Sequence, residues 1–184
     1  MAPFNLITGL KKLIFQEIEF VRQGKEGRII LKMNALQDPE MINLLYQASQ
    51  EGVEIDLIVR GICCLIPNQS YSRNIRITRL VDSFLEHARI WYFGNAGDPL
   101  IFLGSPDWMR RNLYRRIEAV TPVYDNGLKK QIVKMLEIQL NDNQKACFVN
   151  ERLENEFKRD IKGKPIRAQY DFYKYLKTEN ETFP

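Results

Sequence analysis

Residues 28 to 59 carry the pattern that most restricts the fold. Arg28-Ile29-Ile30-Leu31-Lys32-Met33 and Glu54-Ile55-Asp56-Leu57-Ile58-Val59 are two short runs with nearly continuous apolar centres. Such runs suit strands buried on both faces of a parallel sheet. Between them, Asp38 is a good N-cap and Pro39 fits a first helical position. Met41, Leu44, Leu45 and Ala48 then fall on one face at helical spacing, and Gly52 ends the helix. Strand, helix, strand is the sequence form of a right-handed βαβ crossover, so an α/β fold is predicted. Ligands of such sheets bind beyond the carboxyl ends of the strands. Lys32 and Arg60 stand at those two ends. They make either an anion site or two side chains snorkelling to water.

The remaining elements follow from the same patterns. Leu6, Leu10, Leu13, Ile14, Ile18 and Val21 predict a helix over residues 6–22, stopped by Gly24 and Gly27. Residues 66–73 read as a loop, Asn74 to Thr78 as a third strand, and Val81 to Glu86 as a helical turn or an irregular segment. Arg89–Phe93 and Leu100–Leu103 form a hairpin across the turn composition of residues 94–99. Gly104 to Met109 is a loop or short helix, and Arg116 to Val120 a sixth strand. Pro122, Asp125 and Gly127 break before a helix that buries Leu128, Ile132, Met135, Leu136 and Leu140. Residues 141–164 are dominated by polar side chains and read as a surface appendage. Residues 167–177 are a helix whose Tyr170, Phe172, Tyr173 and Tyr175 are packing residues.

Composition narrows the function classes. Hydrophobic residues make up 45% of the 184 and charged residues 27%, so a sizeable core is expected and disorder is not. The net charge of +4 permits a polyanionic partner without demanding one. No strand shows the aromatic-basic pattern of RNA recognition, so nucleic acid is not expected. The three cysteines, Cys63, Cys64 and Cys147, fit neither a zinc site nor a disulfide framework. Cys63 and Cys64 lie in an apolar run and are read as buried thiols of a reducing compartment. No apolar run approaches a membrane span and the N-terminus is no signal peptide, so a cytoplasmic protein is expected.

The usual chemical signatures are missing: no Walker loop, no Gly-x-Gly-x-x-Gly, no Gly-x-Ser-x-Gly elbow and no metal-ligand set. One imidazole remains. His87 is the single histidine of the chain, and histidine alone has an unperturbed pKa near neutrality. A lone histidine beside an apolar strand is usually structural, but this one keeps basic company in Lys32, Arg60, Arg89, Arg115 and Arg116. Arginine pairs with phosphate oxygens bidentately, and a histidine in such a cluster can attack phosphorus or protonate a leaving oxygen. His87-x-Arg89, followed by Gly104-Ser105 and Asn112, resembles a phospholipase D-type phosphotransfer half-site, although lysine is usual where Arg89 stands.

Five stretches in order make a more specific match. They are Lys32-Met33-Asn34-Ala35-Leu36, Ile58 to Leu65, Phe84-Leu85-Glu86-His87-Ala88-Arg89-Ile90, Gly104 to Leu113, and Arg116-Ile117-Glu118. Together they resemble the C-terminal part of bacterial polyphosphate kinase. The resemblance covers most of the chain and is least beyond about residue 150.

The resemblance implies a phospholipase D-like mixed β-sheet flanked by helices. Residues 1–27 would lead in from a preceding domain, 28–145 would form a catalytic half-domain, and 146–184 a polar appendage with a terminal helix. Such enzymes reversibly transfer the terminal phosphate of ATP to polyphosphate through a phosphohistidine, with Mg²⁺. His87 corresponds to the histidine of the second catalytic domain, Arg60 to a nucleotide-site arginine, and Arg116 to a phosphate-contacting arginine.

The phosphate-accepting histidine and the magnesium ligands would lie in the preceding domain, and no metal ligand is expected within 1–184. The expected partners are ATP or ADP, inorganic polyphosphate and the remainder of a homo-oligomeric enzyme, cytoplasmic or membrane-associated. The fragment by itself is expected to be inactive. The alternative is a non-catalytic polyanion- or nucleotide-binding module in which His87 is structural.

Overall fold

The computed structural model describes residues 5–159 and 163–181. The predicted crossover is present: β1 (Arg28–Met33), α2 (Pro39–Gln50) and β2 (Glu54–Val59) follow α1 (Leu6–Arg22). Asp38 caps α2, its Oδ1 accepting the Met41 N–H at 3.0 Å, and Pro39 opens the helix. β1 and β2 pair in parallel from Arg28↔Glu54 to Met33↔Val59. β3 (Ile75–Leu80) continues the parallel set beside β2. β4 (Arg89–Phe93) and β5 (Leu100–Gly104) form the expected hairpin, and β4 runs antiparallel to β1. With β6 (Val120–Val123), β7 (Ala146–Val149) and β8 (Asn155–Phe157), the sheet is mixed, with order β6-β5-β4-β1-β2-β3-β7-β8.

Strand alternation builds two cores. Ile29, Leu31 and Met33 of β1 and Ile55, Leu57 and Val59 of β2 meet Leu10 and Ile14 of α1 and Met41 and Leu45 of α2. On the other face, Ile30, Ile58, Ile90 and Ile101 pack with Leu136 of α4 (Asn126–Leu140). At ~25 cal/mol per Å² of apolar surface, each such fully buried side chain contributes roughly 1.5–3 kcal/mol.

Four expectations need correction. The sixth strand, β6, spans Val120–Val123, not residues 116–120. Pro122 lies inside it, because β6 is an edge strand and an edge tolerates a residue that cannot donate to a ladder. Leu128 is exposed in the first turn of α4, whose buried positions are Leu136 and Gln139.

Of the adjacent cysteines only Cys63 is buried, because the chain after β2 alternates its side chains in and out; Cys64 is exposed. Burial pushes the Cys63 thiol up to about 11. The polar segment after residue 141 is also no mere appendage. β7 (Ala146–Val149) pairs antiparallel with β3, and β8 (Asn155–Phe157) pairs with β7. Asp142 is fully buried, its Oδ1 accepting the N–H groups of Gln144, Lys145 and Ala146 at 2.7–3.0 Å.

The terminal helix is present as α5 (Ala168–Glu181). Its Tyr170 meets the Phe84 ring and its Phe172 stacks with Tyr175, but Tyr170 and Tyr173 are both exposed. Residues 160–162, within the expected polar stretch, lie outside the described residues.

Candidate active site

The strand registers bring five strand ends to one end of the sheet. β1 ends at Met33 beside the end of β2 at Val59. β4 begins at Arg89 opposite the end of β5 at Gly104, and Gly104 lies opposite Val120, where β6 begins. The segments leaving and entering these ends are Asn34–Leu36, Gly61–Cys64, His87–Ala88, Ser105–Met109 and Arg116–Ala119. Thirteen residues from these segments, from the start of β4 and from α3 (Arg110–Tyr114) line an open cleft of about 620 Å³.

The floor of the cleft is zipped by backbone bonds. Leu36 bridges both Cys63 and Trp108. The Gly61 N–H donates to Asn34 O at 2.8 Å, the Leu36 N–H to Ile62 O at 2.8 Å, and the Trp108 N–H to Ala35 O at 3.1 Å. Trp91 and Trp108 meet edge to face below it, with centroids 6.0 Å apart. Gly61 is needed there because a Cβ would come within 2.9 Å of the Asn34 carbonyl oxygen.

Two buried carboxylates organise the walls. Asp107 accepts from Arg89 Nη2 at 3.1 Å and from the Asn34 and Ala35 N–H groups at 2.8 and 3.2 Å. Burial raises the Asp107 pKa, but the Arg89 guanidinium and the two backbone donors outweigh it and hold the carboxyl below its ordinary value. Arg89 Nη1 also donates to His87 O at 3.0 Å, so this ion pair reaches the histidine backbone. Glu118 accepts from the Ser105 hydroxyl and from Asn112 Nδ2, the latter at 2.7 Å. Asn112 is buried, and its Oδ1 has no partner.

His87 and Arg116 line this same cleft, together with Arg89 and Arg111. His87, Arg111 and Arg116 are exposed, and among the described residues neither Arg111 nor Arg116 forms an ion pair. Arg60 is half-buried just behind the lining, its Nε donating to Asn34 Oδ1 at 3.2 Å. Lys32 is not part of this site. It is buried on the α4 face, where its Nζ donates to Glu86 Oε2 at 2.7 Å, so Lys32 neither joins Arg60 in an anion site nor snorkels to water. Arg115 is exposed and outside the lining.

Asp107, Glu118 and Asn112 lie in the sequence stretches quoted above, but their structural work was not read from them. The available signal was a pair of carboxylates embedded in arginine-rich segments.

The arrangement can hold an anion against unpaired guanidinium groups and present an imidazole to it. Among the described residues no group of three His, Cys, Asp or Glu side chains could hold a metal ion. Asp107 and Glu118 are taken up by the donors named above, so the cleft's own carboxylates do not fit Mg²⁺ and no step is assigned to it.

Fold and cleft together define a phospholipase D-like α/β domain. The fold is similar to that of the phospholipase D family member Nuc from Salmonella typhimurium, with a TM-score of 0.50 and 11% identity over 78% of this chain and 89% of that one. The chain belongs to the family described as polyphosphate kinase C-terminal domain 2, whose model matches residues 1–169.

A polyphosphate kinase from Thermosynechococcus vestitus is 49% identical over 147 residues, which is 79% of this chain and 20% of that protein. The crystal structure of polyphosphate kinase from Porphyromonas gingivalis matches with a TM-score of 0.98 and 53% identity, covering 99% of this chain and 28% of that one. The chain thus spans between a fifth and a third of these two relatives. No helix among the described residues is long and apolar enough to cross a membrane.

Proposed function

We propose that this chain supplies the acid/base half of a polyphosphate kinase active site. In the whole enzyme a histidine of another domain attacks the γ-phosphorus of ATP, the bond to the bridging oxygen breaks, and ADP leaves. The terminal oxygen of polyphosphate then attacks the phosphohistidine, the P–N bond breaks, and the chain is one phosphate longer. His87 donates a proton to the departing oxygen in one direction and accepts it in the other. Arg116, with Arg60 behind the cleft wall, holds the phosphates. Charge neutralisation at preorganised guanidinium groups lowers the cost of the transferring phosphoryl.

The observation that carries the reading is the convergence of His87 and Arg116 on one open cleft in a chain of this family. Mg²⁺, the oligomeric state and a cytoplasmic location, with or without membrane association, belong to the proposal for the whole enzyme.

Purified residues 1–184 are expected to make no polyphosphate from ATP. In a polyphosphate kinase polypeptide that contains this segment, His87→Ala is expected to lower kcat by roughly 10²–10⁴-fold, the usual worth of a positioned acid/base. Robust synthesis by the chain alone, lost on His87→Ala, would contradict the division of labour. If His87→Ala leaves turnover intact while Arg116→Ala weakens polyphosphate binding, the cleft is a polyanion-binding module.

A further inference from the structure

His87 is exposed, and among the described residues its side chain makes no hydrogen bond. Residues 81–88, which carry it into the cleft, have no regular secondary structure, and Val81, Phe84 and Leu85 are exposed. A reacting group must be held to within about half an ångström by its surroundings. The strap cannot supply that by itself.

The start of α5 supplies it. Arg167 grips Asp82 with two parallel bonds, Nε to Oδ2 at 2.8 Å and Nη2 to Oδ1 at 2.7 Å, and Nη2 also donates to Ser83 Oγ at 3.0 Å. Gln169 reads the Phe84 backbone on both sides. Its Oε1 accepts the Phe84 N–H and its Nε2 donates to Phe84 O, each at 2.8 Å. Nε2 also reaches Glu86 Oε1 at 3.0 Å. Glu86, the residue before His87, is pinned from two further elements, accepting Lys32 Nζ at 2.7 Å and Gln139 Nε2 at 2.6 Å. The Tyr170 ring lies 5.9 Å from that of Phe84. The clasp is itself rooted: buried Asp142 accepts the Ala168 N–H at 2.7 Å, tying the first turn of α5 to the loop that enters β7.

We propose that Arg167 and Gln169 are positioning residues for His87, the start of α5 acting as a clasp that fixes the strap and so sets where the imidazole stands in the cleft. The functional consequence rests on the reading of His87 as the reacting group; the clasp does not.

Hydrogen exchange and NMR of the single histidine separate the two. In the wild-type chain the Phe84 amide is expected to be protected. Gln169→Ala should speed its exchange at least tenfold and loosen the His87 ring on the relaxation timescale, while amides of β1 and β2 keep their rates. Arg167→Ala should do the same through Asp82. An unprotected Phe84 amide in the wild type overturns the clasp whether or not the variants fold. So do unchanged Phe84 exchange and unchanged His87 dynamics in both variants.

In a polyphosphate kinase polypeptide containing this segment, Gln169→Ala should lower kcat about tenfold with little change in KM for ATP. A loosened strap with unchanged kcat, where His87→Ala is inactive, overturns the positioning role. A loosened strap in an enzyme that tolerates His87→Ala leaves the clasp standing and removes the proposed function.

Discussion

Removing the Asp107 carboxylate would strand several donors at once. Arg89 would keep a guanidinium with 13% side-chain exposure and no ion pair, and the Asn34 and Ala35 N–H groups would lose their acceptor. Breaking one side of such a buried pair costs about 3–5 kcal/mol. Urea unfolding of Asp107→Ala should therefore show a loss of that order, far more than His87→Ala, whose side chain is exposed. Gly61→Ala should cost about 1–3 kcal/mol by the same assay, because the new methyl would press on the Asn34 carbonyl oxygen.

Residue chemistry explains which parts of the cleft were legible beforehand. His87 and Arg116 could be singled out because a unique imidazole among guanidinium groups is informative by type alone. Lys32 was misread because a lysine at a strand end looks the same whether it faces a cleft or a buried carboxylate; only Glu86, 54 residues away, decides it. Asp107 and Glu118 were hidden for the same reason, since a carboxylate's partners are set by the tertiary fold.

At the scale of elements, local signals decided the outcome where they were self-sufficient. The βαβ unit was readable because its strands have nearly continuous apolar centres and Asp38 and Pro39 mark the start of its helix. β6 was read as a strand but begun four residues early, and β7 was missed, since each is short and becomes a strand only by pairing with a neighbouring strand.

The α5 clasp adds a pH prediction at this scale. The hydrogen bonds from Arg167 pull Asp82 down to about 2, below its ordinary 3.8. A depressed carboxylate stabilises the fold above its unfolded pKa and loses that contribution as pH falls through the folded value. The stability difference between wild type and Asp82→Asn should thus be full at pH 5, fall steeply towards pH 2 and vanish below it, as read by thermal unfolding.

Lys158 should behave in the opposite range. Burial against Thr78 and Leu140 lowers it to about 8 from 10.5. Between those values the unfolded chain holds more protons, so stability should rise with pH. Lys158→Met should flatten that slope.

The whole molecule is one sheet that includes residues well past the βαβ core. β3 has β7 as its outer neighbour, and β7 has β8. Truncation after Asn141 would expose the β3 edge and remove Arg167 and Gln169, which hold the strap at Asp82, Phe84 and Glu86. An uncovered edge strand promotes association. The truncated chain should aggregate or unfold on size exclusion, whereas loss of a true appendage would leave a folded monomer.

The proposed chemistry requires phosphate to meet His87 in this cleft. Because the chain has a single histidine, its ring signals in a proton–carbon NMR spectrum report that place without ambiguity. Titrating the chain with sodium tripolyphosphate should move the His87 ring resonances saturably, with an affinity that falls as salt rises and weakens several-fold in Arg116→Ala. Tripolyphosphate binding that leaves the His87 resonances unmoved, or that is indifferent to Arg116→Ala, would contradict it.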